Sequence, residues 1–355
     1  MEEQEKQSVL TFYCDRLHQN GWEEIILRDE ATGCKATIIP SAGAILNKLE
    51  VPHKGKTINL IDGFKDADDF KANITNGFKG AKLSPFVCRL NNSTYQWQDK
   101  TYKADRFILD GHAIHGLLYD VPHEVMIAEA SAFMCECKFL YRYKGTHPGF
   151  PFAFDMNVRY RLEGGSRLTI ITTVHNRSGQ TIPMSDGWHP YFHIGETIDT
   201  ANLQINARKM LEFNEALLPT GKVIRNKKWF KGAPLKDVFL DNCFVLDMDE
   251  PMPHCTLSDP SVGLELYIYP DRAYPYLQVY TPPHRKSIAI ENLSAAPDAF
   301  NNKIGLIELG PEDSQAFQTR YRIAKIKKEE GDEKASSGSW WGSLFSRSHT
   351  TPPNA

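Results

Sequence analysis

The stretch that decides the fold is FDMNVRYRLEGGSRLTIITTVHN, residues 154–176. Residues 154–162 alternate between apolar and polar side chains, and residues 167–176 are rich in β-branched residues, as expected of strands with one buried face. Between the two runs lies EGGS, whose adjacent glycines can adopt the positive φ angles that a tight turn needs. The stretch therefore predicts two antiparallel strands joined by a short turn.

Similar runs recur along the chain at intervals of roughly ten to fifteen residues. An earlier pair, EEIILRD (23–29) and CKATIIP (34–40), flanks the turn sequence EATG. Helix signals are few, and DADDFKAN (66–73) predicts only one or two helical turns. Because strands follow one another without intervening helices, the pattern favours an all-β fold, a large antiparallel β-sandwich, over a βαβ fold.

The overall composition is that of an ordinary globular protein, with 41% hydrophobic and 24% charged residues. The formal net charge of -3 provides no general attraction for nucleic acid or for an anionic membrane. The chain starts with acidic and polar residues instead of a signal peptide, and no later run reaches the ~20 apolar residues of a membrane helix. The seven cysteines, odd in number and scattered, suit reduced thiols. We therefore expect a cytoplasmic protein.

The end of the chain differs in composition from the rest. Residues 326–355 begin with charged and then small polar residues, which predicts disorder, and they continue into WWGSLF (340–345). Clustered aromatic residues rarely stay exposed to solvent. Two interpretations stay open: this tail folds back onto an apolar groove of its own domain, or it is a docking motif for a protein partner.

Glu291 is a candidate general base. It follows the apolar run SIAI (287–290) and precedes a loop, so it stands near burial. Burial raises the pKa of a carboxyl group and makes it a useful base near neutral pH. The alternative is a glutamate that ends its strand at the surface.

His189 is a candidate acid that stands among aromatic residues. Pro190 biases the backbone of His189 toward an extended conformation, which would hold the imidazole on a rigid segment. Three neighbours, Trp188, Tyr191 and Phe192, are expected to supply aromatic walls suited to the C–H face of a sugar. The alternative is a histidine that is satisfied inside the core.

Pairs of histidines and cysteines raise the question of a metal site. Three close pairs are present: His112 and His115, His189 and His193, and Cys135 and Cys137. Glycines bracket the first pair, which indicates a loop or a strand end. The second pair would suit a helix, but Pro190 lies inside it and disfavours one. The two cysteines are expected to pack together as small apolar side chains. We therefore predict no metal.

Other catalytic chemistries have weaker support. Cys88 stands beside Arg89, which would lower the pKa of the thiol, but no cysteine–histidine signature surrounds it. No glycine triplet follows a strand and opens a helix, so neither a dinucleotide fingerprint nor a phosphate loop is found.

Seven stretches, taken in order, resemble segments of the aldose 1-epimerase (galactose mutarotase) family. They are SAGAILNKLEV (41–51), NLIDGFKDADDF (59–70), SPFVCRL (84–90), AIHGLLYDVPHEV (113–125), GWHPYF (187–192), FLDNCFVLD (239–247) and IAIENLSAAPDAFN (288–301). Each motif is weak alone, whereas seven in order are specific. The resemblance divides the chain into an N-terminal segment (1–20), a β-sandwich domain (21–325) and the tail (326–355).

The resemblance implies both a fold and a reaction. The fold is the family's galactose mutarotase-like supersandwich, with a sugar in an open cleft on one sheet. The reaction interconverts the α and β anomers of a free hexose, galactose or glucose, without a metal or organic cofactor. His189 would be the general acid and Glu291 the general base, one protonated and one ionised near pH 7. Arg89, His115 and Asp241 would hold sugar hydroxyls or the ring oxygen.

The chain departs from the family's pattern at three positions. Cys88 and His112 stand where asparagine is common, and Asn292 stands where proline commonly follows the glutamate. We expect these residues to lie beside the site and to affect substrate preference more than the reaction.

Other functions fit the same motifs. A hexose-6-phosphate mutarotase would need extra cations at the rim of the cleft, for which the loop residues Arg272, Arg285 and Lys286 are candidates. A non-catalytic sugar-binding or regulatory protein would keep the sandwich, although this chain retains all five candidate site residues. An interaction protein would work through the tail.

Overall fold

The computed structural model describes residues 11–250 and 252–326. The WWGSLF motif and, apart from residue 326, the predicted disordered tail lie outside the described residues. The first fifteen strands are β1 (Phe12–Gln19), β2 (Trp22–Asp29), β3 (Cys34–Ile39), β4 (Ile45–His53), β5 (Lys56–Asn59), β6 (Ala81–Leu83), β7 (Arg89–Leu90), β8 (Thr94–Trp97), β9 (Lys100–Lys103), β10 (Ile108–Leu109), β11 (His112–Ile114), β12 (Glu124–Ala130), β13 (Met134–Tyr143), β14 (Phe154–Glu163) and β15 (Arg167–Asn176).

The second half of the chain continues in the same way. Its strands are β16 (Ile182–Met184), β17 (Gly187–His189), β18 (Tyr191–Phe192), β19 (Asn202–Ile205), β20 (Lys209–Phe213), β21 (Pro219–Arg225), β22 (Ala233–Pro234), β23 (Asp241–Val245), β24 (Cys255–Asp259), β25 (Leu264–Pro270), β26 (Tyr276–Tyr280), β27 (Ile288–Leu293), β28 (Ile307–Leu309) and β29 (Ser314–Lys325). The helices are α1 (Ala67–Asn73) and α2 (Ala299–Asn302), and short 3₁₀ helices cover Asn91–Ser93 and Ile198–Thr200. The predicted all-β fold is confirmed.

Three large sheets carry the architecture. A five-stranded sheet runs β1-β2-β3-β4-β5, a nine-stranded sheet runs β12-β13-β14-β15-β29-β25-β24-β19-β22, and an eight-stranded sheet runs β21-β20-β23-β26-β27-β17-β6, with β18 also paired to β27. The sheets are antiparallel and do not close into a barrel. No helix in the described part of the chain is long and apolar enough to cross a membrane.

The hairpin predicted from residues 154–176 is confirmed as β14 and β15, two inner strands of the nine-stranded sheet. The pairing runs without a shift from Phe154 opposite Asn176 to Glu163 opposite Arg167. Burial along β14 alternates strictly, so one face of this strand packs into the core. Gly165 in the turn has a φ of 80°, the left-handed conformation that glycine adopts readily.

The sheet architecture begins earlier than the segment boundary drawn from the sequence. Phe12–Gln19 forms β1 and pairs along its whole length with β2, so part of the N-terminal segment belongs to the five-stranded sheet. The predicted helical turns are found as α1, where Asp66 caps the N-terminus by accepting a hydrogen bond from the amide of Asp69.

The core lies where the nine-stranded sheet faces the eight-stranded sheet. Tyr160 of β14 meets Trp188 of β17 edge to face at 6.2 Å between ring centres. Phe192 of β18 meets Tyr321 of β29 in the same way at 5.2 Å. Cys135 and Cys137 are fully buried on the side of β13 that packs against the five-stranded sheet, where the Sγ atom of Cys135 lies 3.6 Å from the carbonyl oxygen of Arg28 on β2. All seven cysteines are unpaired.

A buried ion pair supports the strand that carries His189. The ammonium of Lys82 on β6 contacts the carboxylate of Asp186 just before β17, and neither side chain is exposed to solvent. Lys82 also donates to the carbonyl of Gly187 at 3.0 Å, and the hydroxyl of Tyr274 donates to Asp186 at 2.6 Å. These contacts fix β17 against β6 from the core side.

Removing one partner of this ion pair should strongly destabilise the folded protein. We expect Lys82→Met to lower the free energy of unfolding by roughly 3–5 kcal/mol, because it leaves the Asp186 carboxylate buried without a compensating positive charge. The double variant Lys82→Met/Asp186→Asn should recover much of that loss, since no buried charge remains and Tyr274 keeps an acceptor. Urea denaturation measures both. Lys79→Met, which breaks a half-exposed pair with Asp62, is the matched control and should cost less than about 1 kcal/mol.

The buried His123 should make the free energy of unfolding fall as the pH is lowered. Burial lowers the pKa of His123 to about 4, against a hydrogen bond with the carbonyl of Val121 that raises it. The unfolded chain takes up a proton near pH 6.5 and the folded protein only near pH 4, so this stability is lost as the pH falls through that window.

The variant His123→Asn keeps a donor toward Val121 but cannot titrate. Between pH 7 and pH 4, wild type should lose roughly 3 kcal/mol more free energy of unfolding than this variant does. Urea titrations over that pH range measure the difference. The exposed His18→Asn should behave as wild type. Equal acid dependence in wild type and His123→Asn would contradict a buried neutral imidazole.

Candidate active site

The pairing of three strands places an acid and a base side by side. Gln278 of β26 stands directly opposite Glu291 of β27. Gly187 of β17 pairs with Leu293 of the same strand, so His189, two residues further along β17, returns to the face that carries Glu291. The Nε2 atom of His189 lies 3.3 Å from the Oε1 atom of Glu291.

A cavity of about 380 Å³ opens over this face of the sheet. All five side chains that the sequence singled out line it, although they come from five separate segments: Arg89, His115, His189, Asp241 and Glu291. The remaining wall includes residues of the loop after α1, the side chain of Gln278 on β26 and the aromatic rings of Tyr191 and Tyr280.

A tight left-handed turn delivers His115 to the cavity. Both His115 and Gly116 have positive φ angles, of 61° and 76°. The amide of His115 donates to the carbonyl of Cys88 at 2.9 Å, and the amide of Leu117 donates to the carbonyl of Ser84 at 2.7 Å. A Cβ atom on Gly116 would stand 2.2 Å from that Ser84 oxygen, so glycine is required where the histidine loop meets this segment.

His189 is held by rings on two sides. It is 5% exposed, stacks on Tyr191 with ring centres 5.1 Å apart, and meets His115 edge to face at 4.8 Å. Burial lowers the pKa of His189 to about 4. Burial, with smaller contributions from His189 and Arg89, also holds the pKa of His115 well below its usual value. Both imidazoles are therefore neutral in the resting site.

Burial acts on the carboxyl groups in the opposite direction. Glu291 is 1% exposed, and its burial, followed by the nearby charge of Asp241, raises its pKa well above the usual value. Burial also raises the pKa of Asp241, while Arg89 and a 2.6 Å hydrogen bond from the amide of Gln278 counteract that rise. Of the two carboxyl groups, Asp241 is therefore the one whose ionised form is stabilised by partners in the site.

The resting acid–base pair differs from the charged pair expected from the sequence. Burial favours neutral His189 beside protonated Glu291, whereas the expectation was an imidazolium beside a carboxylate. The two forms carry the same single proton and differ only in which residue holds it. Such a pair can donate a proton at one atom while it accepts one at the other.

The model of the aldose 1-epimerase family matches residues 23–322 of this chain. The chain belongs to the aldose 1-epimerase family. The aldose 1-epimerase of Streptococcus thermophilus is 26% identical over 189 residues, which cover 52% of this chain. The matched region spans 53%, about half, of the length of that relative.

Solved structures share the fold of this family member. A galactose mutarotase-like protein from Clostridium acetobutylicum superposes with a TM-score of 0.79 at 20% identity, covering 89% of this chain and 99% of that one. The galactose 1-epimerase of Lactobacillus acidophilus gives a TM-score of 0.73 at 18% identity, with 90% and 100% coverage. The predicted supersandwich is therefore confirmed.

The expectation of three aromatic walls is wrong for two of them. Successive residues of a strand point to opposite faces, so Trp188 turns away from the cavity and lies beside Lys82 at 4.5 Å from ring centre to ammonium. Phe192 lies in the core against Tyr321. Of the three, Tyr191 alone lines the cavity.

The three departures from the family pattern do not all lie beside the site. Cys88 lines the cavity itself, which corrects the expectation for this residue. His112 and Asn292 are not among the lining residues. The Nδ1 atom of His112 accepts from the amide of Asn92 at 3.1 Å, and Asn292 accepts from the hydroxyl of Thr319 at 2.7 Å on the core side of the sheet.

The histidine pairs are split by the fold. Pro190 separates β17 from β18, so His189 and His193 share no helix face, as predicted. Only one member of each pair, His115 and His189, lines the cavity, while His112 and His193 do not.

The loop cations considered for a phosphate do not line the cavity either. Arg285 donates to the carboxylate of Asp199 at 2.7 Å, and Arg272 donates to Asp249 at 2.7 Å, so both take part in surface contacts. Lys286 is exposed.

The sequence analysis missed Gln278, which orients Asp241 through the 2.6 Å hydrogen bond. A signal was available in YLQVY (276–280), where this amide interrupts a run of apolar and aromatic residues. A polar residue at such a position is buried with a partner or faces a site. Phe78, which packs edge-on against His115 at 4.7 Å, gave no comparable signal.

Removing the charge of Asp241 should make Glu291 more acidic. The negative charge of Asp241 is the second cause that raises the pKa of Glu291, so Asp241→Asn should lower that pKa. Infrared titration of protein with ¹³C-labelled glutamate measures it, with Glu291→Gln identifying the band. Asp68→Asn, on the exposed face of α1, is the matched control. An unchanged or higher Glu291 pKa in Asp241→Asn would contradict the coupling.

Proposed function

We propose that this protein is an aldose 1-epimerase that interconverts the α and β anomers of a free hexose, galactose or glucose. The observation that carries the proposal is the 3.3 Å separation of His189 Nε2 and Glu291 Oε1 on one cavity wall. In a cyclic sugar the C1 hydroxyl oxygen and the ring oxygen are bonded to the same carbon. An acid and a base that serve these two oxygens must therefore be neighbours.

In the proposed mechanism, the proton that burial keeps on Glu291 first passes to His189 across the 3.3 Å between Oε1 and Nε2. Glu291 then takes the proton of the C1 hydroxyl while His189 gives a proton to the ring oxygen. The bond between C1 and the ring oxygen breaks, the aldehyde forms, and rotation about C1–C2 exposes its other face. Ring closure with the roles reversed yields the second anomer. Each positioned proton transfer contributes about 10²–10⁴-fold to the rate.

The electrostatics of the pair favour the proton arrangement that ring opening produces. Ring opening converts imidazolium and carboxylate into imidazole and carboxylic acid. That neutral form is the one that burial favours, since it lowers the pKa of His189 to about 4 and raises that of Glu291. The buried site thus stabilises the proton arrangement that accompanies the open-chain sugar.

Three further side chains are suited to holding the sugar. An Nη1 atom of Arg89 and the Nδ1 atom of His115 are buried and have no hydrogen-bond partner in the described part of the protein. Buried polar atoms are normally hydrogen-bonded, so hydroxyl or ring oxygens are fitting partners for them. Asp241 adds an acceptor for hydroxyl protons.

The charges of the cavity favour a free hexose over a hexose 6-phosphate. Arg89 is the one lysine or arginine among the described lining residues, and two carboxyl groups, those of Asp241 and Glu291, line the same cavity. A phosphate would need more cations than this wall offers.

We also propose that the protein works in the cytoplasm. Its seven cysteines are all unpaired in the fold, which suits a reducing compartment.

Polarimetry tests the function. Wild type should accelerate the change in optical rotation of freshly dissolved α-D-galactose or α-D-glucose. Glu291→Gln and His189→Asn, which nearly preserve shape, should each lower the rate by about 10²–10⁴-fold, because each removes one proton transfer. The matched surface variants Glu129→Gln and His18→Asn should keep wild-type rates, and circular dichroism checks folding.

Two other outcomes would overturn the proposal. Acceleration with glucose 6-phosphate but with neither free sugar would make the protein a sugar-phosphate mutarotase. Sugar binding by calorimetry without acceleration of any of these sugars would make it a non-catalytic sugar-binding protein.

A further inference from the structure

The cavity also contains a group of three potential metal ligands. The proposed sugar chemistry uses two of these residues, but not as a metal site. Cys88, His115 and Glu291 each present one potential metal ligand, and these three atoms lie within 4.8 Å of one another. All three residues are buried. The Sγ atom of Cys88 is 4.0 Å from the Oε2 atom of Glu291. Ligands of a tetrahedral zinc ion, each bound at about 2.0–2.3 Å, are about 3–4 Å apart, so small side-chain rotations would close the set.

The ligand types select a particular ion. A thiolate, an imidazole and a carboxylate are the donors that Zn²⁺ accepts, and three protein ligands leave its fourth position open. Mg²⁺ and Ca²⁺ prefer oxygen ligands throughout and would not gain from the sulfur. The sulfur is contributed by Cys88, at the position where the sequence departs from the family's common asparagine.

A second observation points to a ligand at the same place. The Nδ1 atom of His115 is buried in the cavity wall and has no hydrogen-bond partner in the described part of the protein. A neutral imidazole with a free nitrogen is the form that binds metals. The cavity of about 380 Å³ above it provides an entry path.

The charges around the three ligands can balance a divalent ion. The carboxylate of Glu291 and the thiolate of Cys88 would together neutralise Zn²⁺, and the Glu291 carboxylic acid and the Cys88 thiol would each release a proton to solvent as their bonds to zinc form. Asp241 lies close enough to raise the pKa of Glu291, so it adds negative charge beside the ion. Arg89 opposes binding, because its guanidinium lies on the same wall.

We propose that the cavity binds one Zn²⁺ ion through Cys88, His115 and Glu291, and that this ion blocks the acid–base site. Zinc on Glu291 occupies the oxygen that would accept the C1 hydroxyl proton. The ion is therefore a reversible inhibitor and not a cofactor. The binding site stands on the ligand geometry alone, whereas the inhibition rests on the proposed function.

Direct binding tests the site without any assay of activity. The full-length protein, stripped with EDTA, is titrated with zinc in competition with a chromogenic zinc chelator. Wild type should bind one ion per chain in the cavity, and Cys88→Asn and His115→Asn should each bind it more than about 10-fold more weakly. Asparagine tolerates the left-handed backbone of Cys88, whose φ is 49°, so Cys88→Asn should fold.

A spectroscopic signature identifies the sulfur ligand. Cobalt(II) in place of zinc should give wild type a thiolate-to-metal charge-transfer band that Cys88→Asn lacks. Cys14→Ser, which removes a half-buried thiol of β1 that does not line the cavity, is the matched control and should keep both the band and the zinc affinity. Equal zinc affinity in wild type and Cys88→Asn, or no binding at micromolar zinc, would overturn the site.

Polarimetry in the presence of zinc separates this inference from the proposed function. Micromolar zinc should stop acceleration by wild type, EDTA should restore it, and whatever activity Cys88→Asn retains should resist zinc. Zinc binding by a protein that accelerates no sugar would uphold the site and overturn the function. Zinc-insensitive acceleration by wild type would uphold the function and overturn the inhibition.

Discussion

The register of β26, β27 and β17 is the constraint on which the site depends. Side chains alternate across a pleated strand. Glu291 therefore faces the cavity only if Asn292 faces the core, and His189 faces the cavity only if Trp188 faces the core. A shift of one residue would bury the acid and the base in the core and expose the residues that hold the sheets together. The buried ion pair of Lys82 and Asp186 stabilises this register from the core side of the sheet.

Burial is the second physical effect, and it links several properties of the cavity. It lowers the pKa of His189 and raises the pKa of Glu291, and among the described residues it leaves the Nδ1 atom of His115 without a hydrogen-bond partner. Because the site favours neutral groups, a proton can pass between His189 and Glu291 without being trapped by a strongly stabilised imidazolium or carboxylate. A neutral imidazole, that of His115, and a carboxyl oxygen of Glu291 are also what a zinc ion needs. The proposed catalytic and metal-binding uses of Glu291 therefore exclude each other.

Cys88 shows why a sequence motif does not locate its own side chains. It was expected beside the site, yet its left-handed backbone conformation turns the thiol into the cavity, 4.0 Å from Glu291. The expected aromatic walls failed for a related reason. Trp188 and His189 are adjacent in sequence, but adjacency on a strand means opposite faces.

The sequence by itself determined the strands, because alternation and turn glycines act over a few residues, as in the hairpin of residues 154–176. The order of its motifs also identified the family and named the five residues that share the cavity. Only the tertiary structure decided which residues of the cavity touch. Glu291 and Cys88 are 203 positions apart, and their contact depends on strand pairing across the whole domain. The protonation states likewise follow from burial, which is a property of the packed sheets and not of any local stretch.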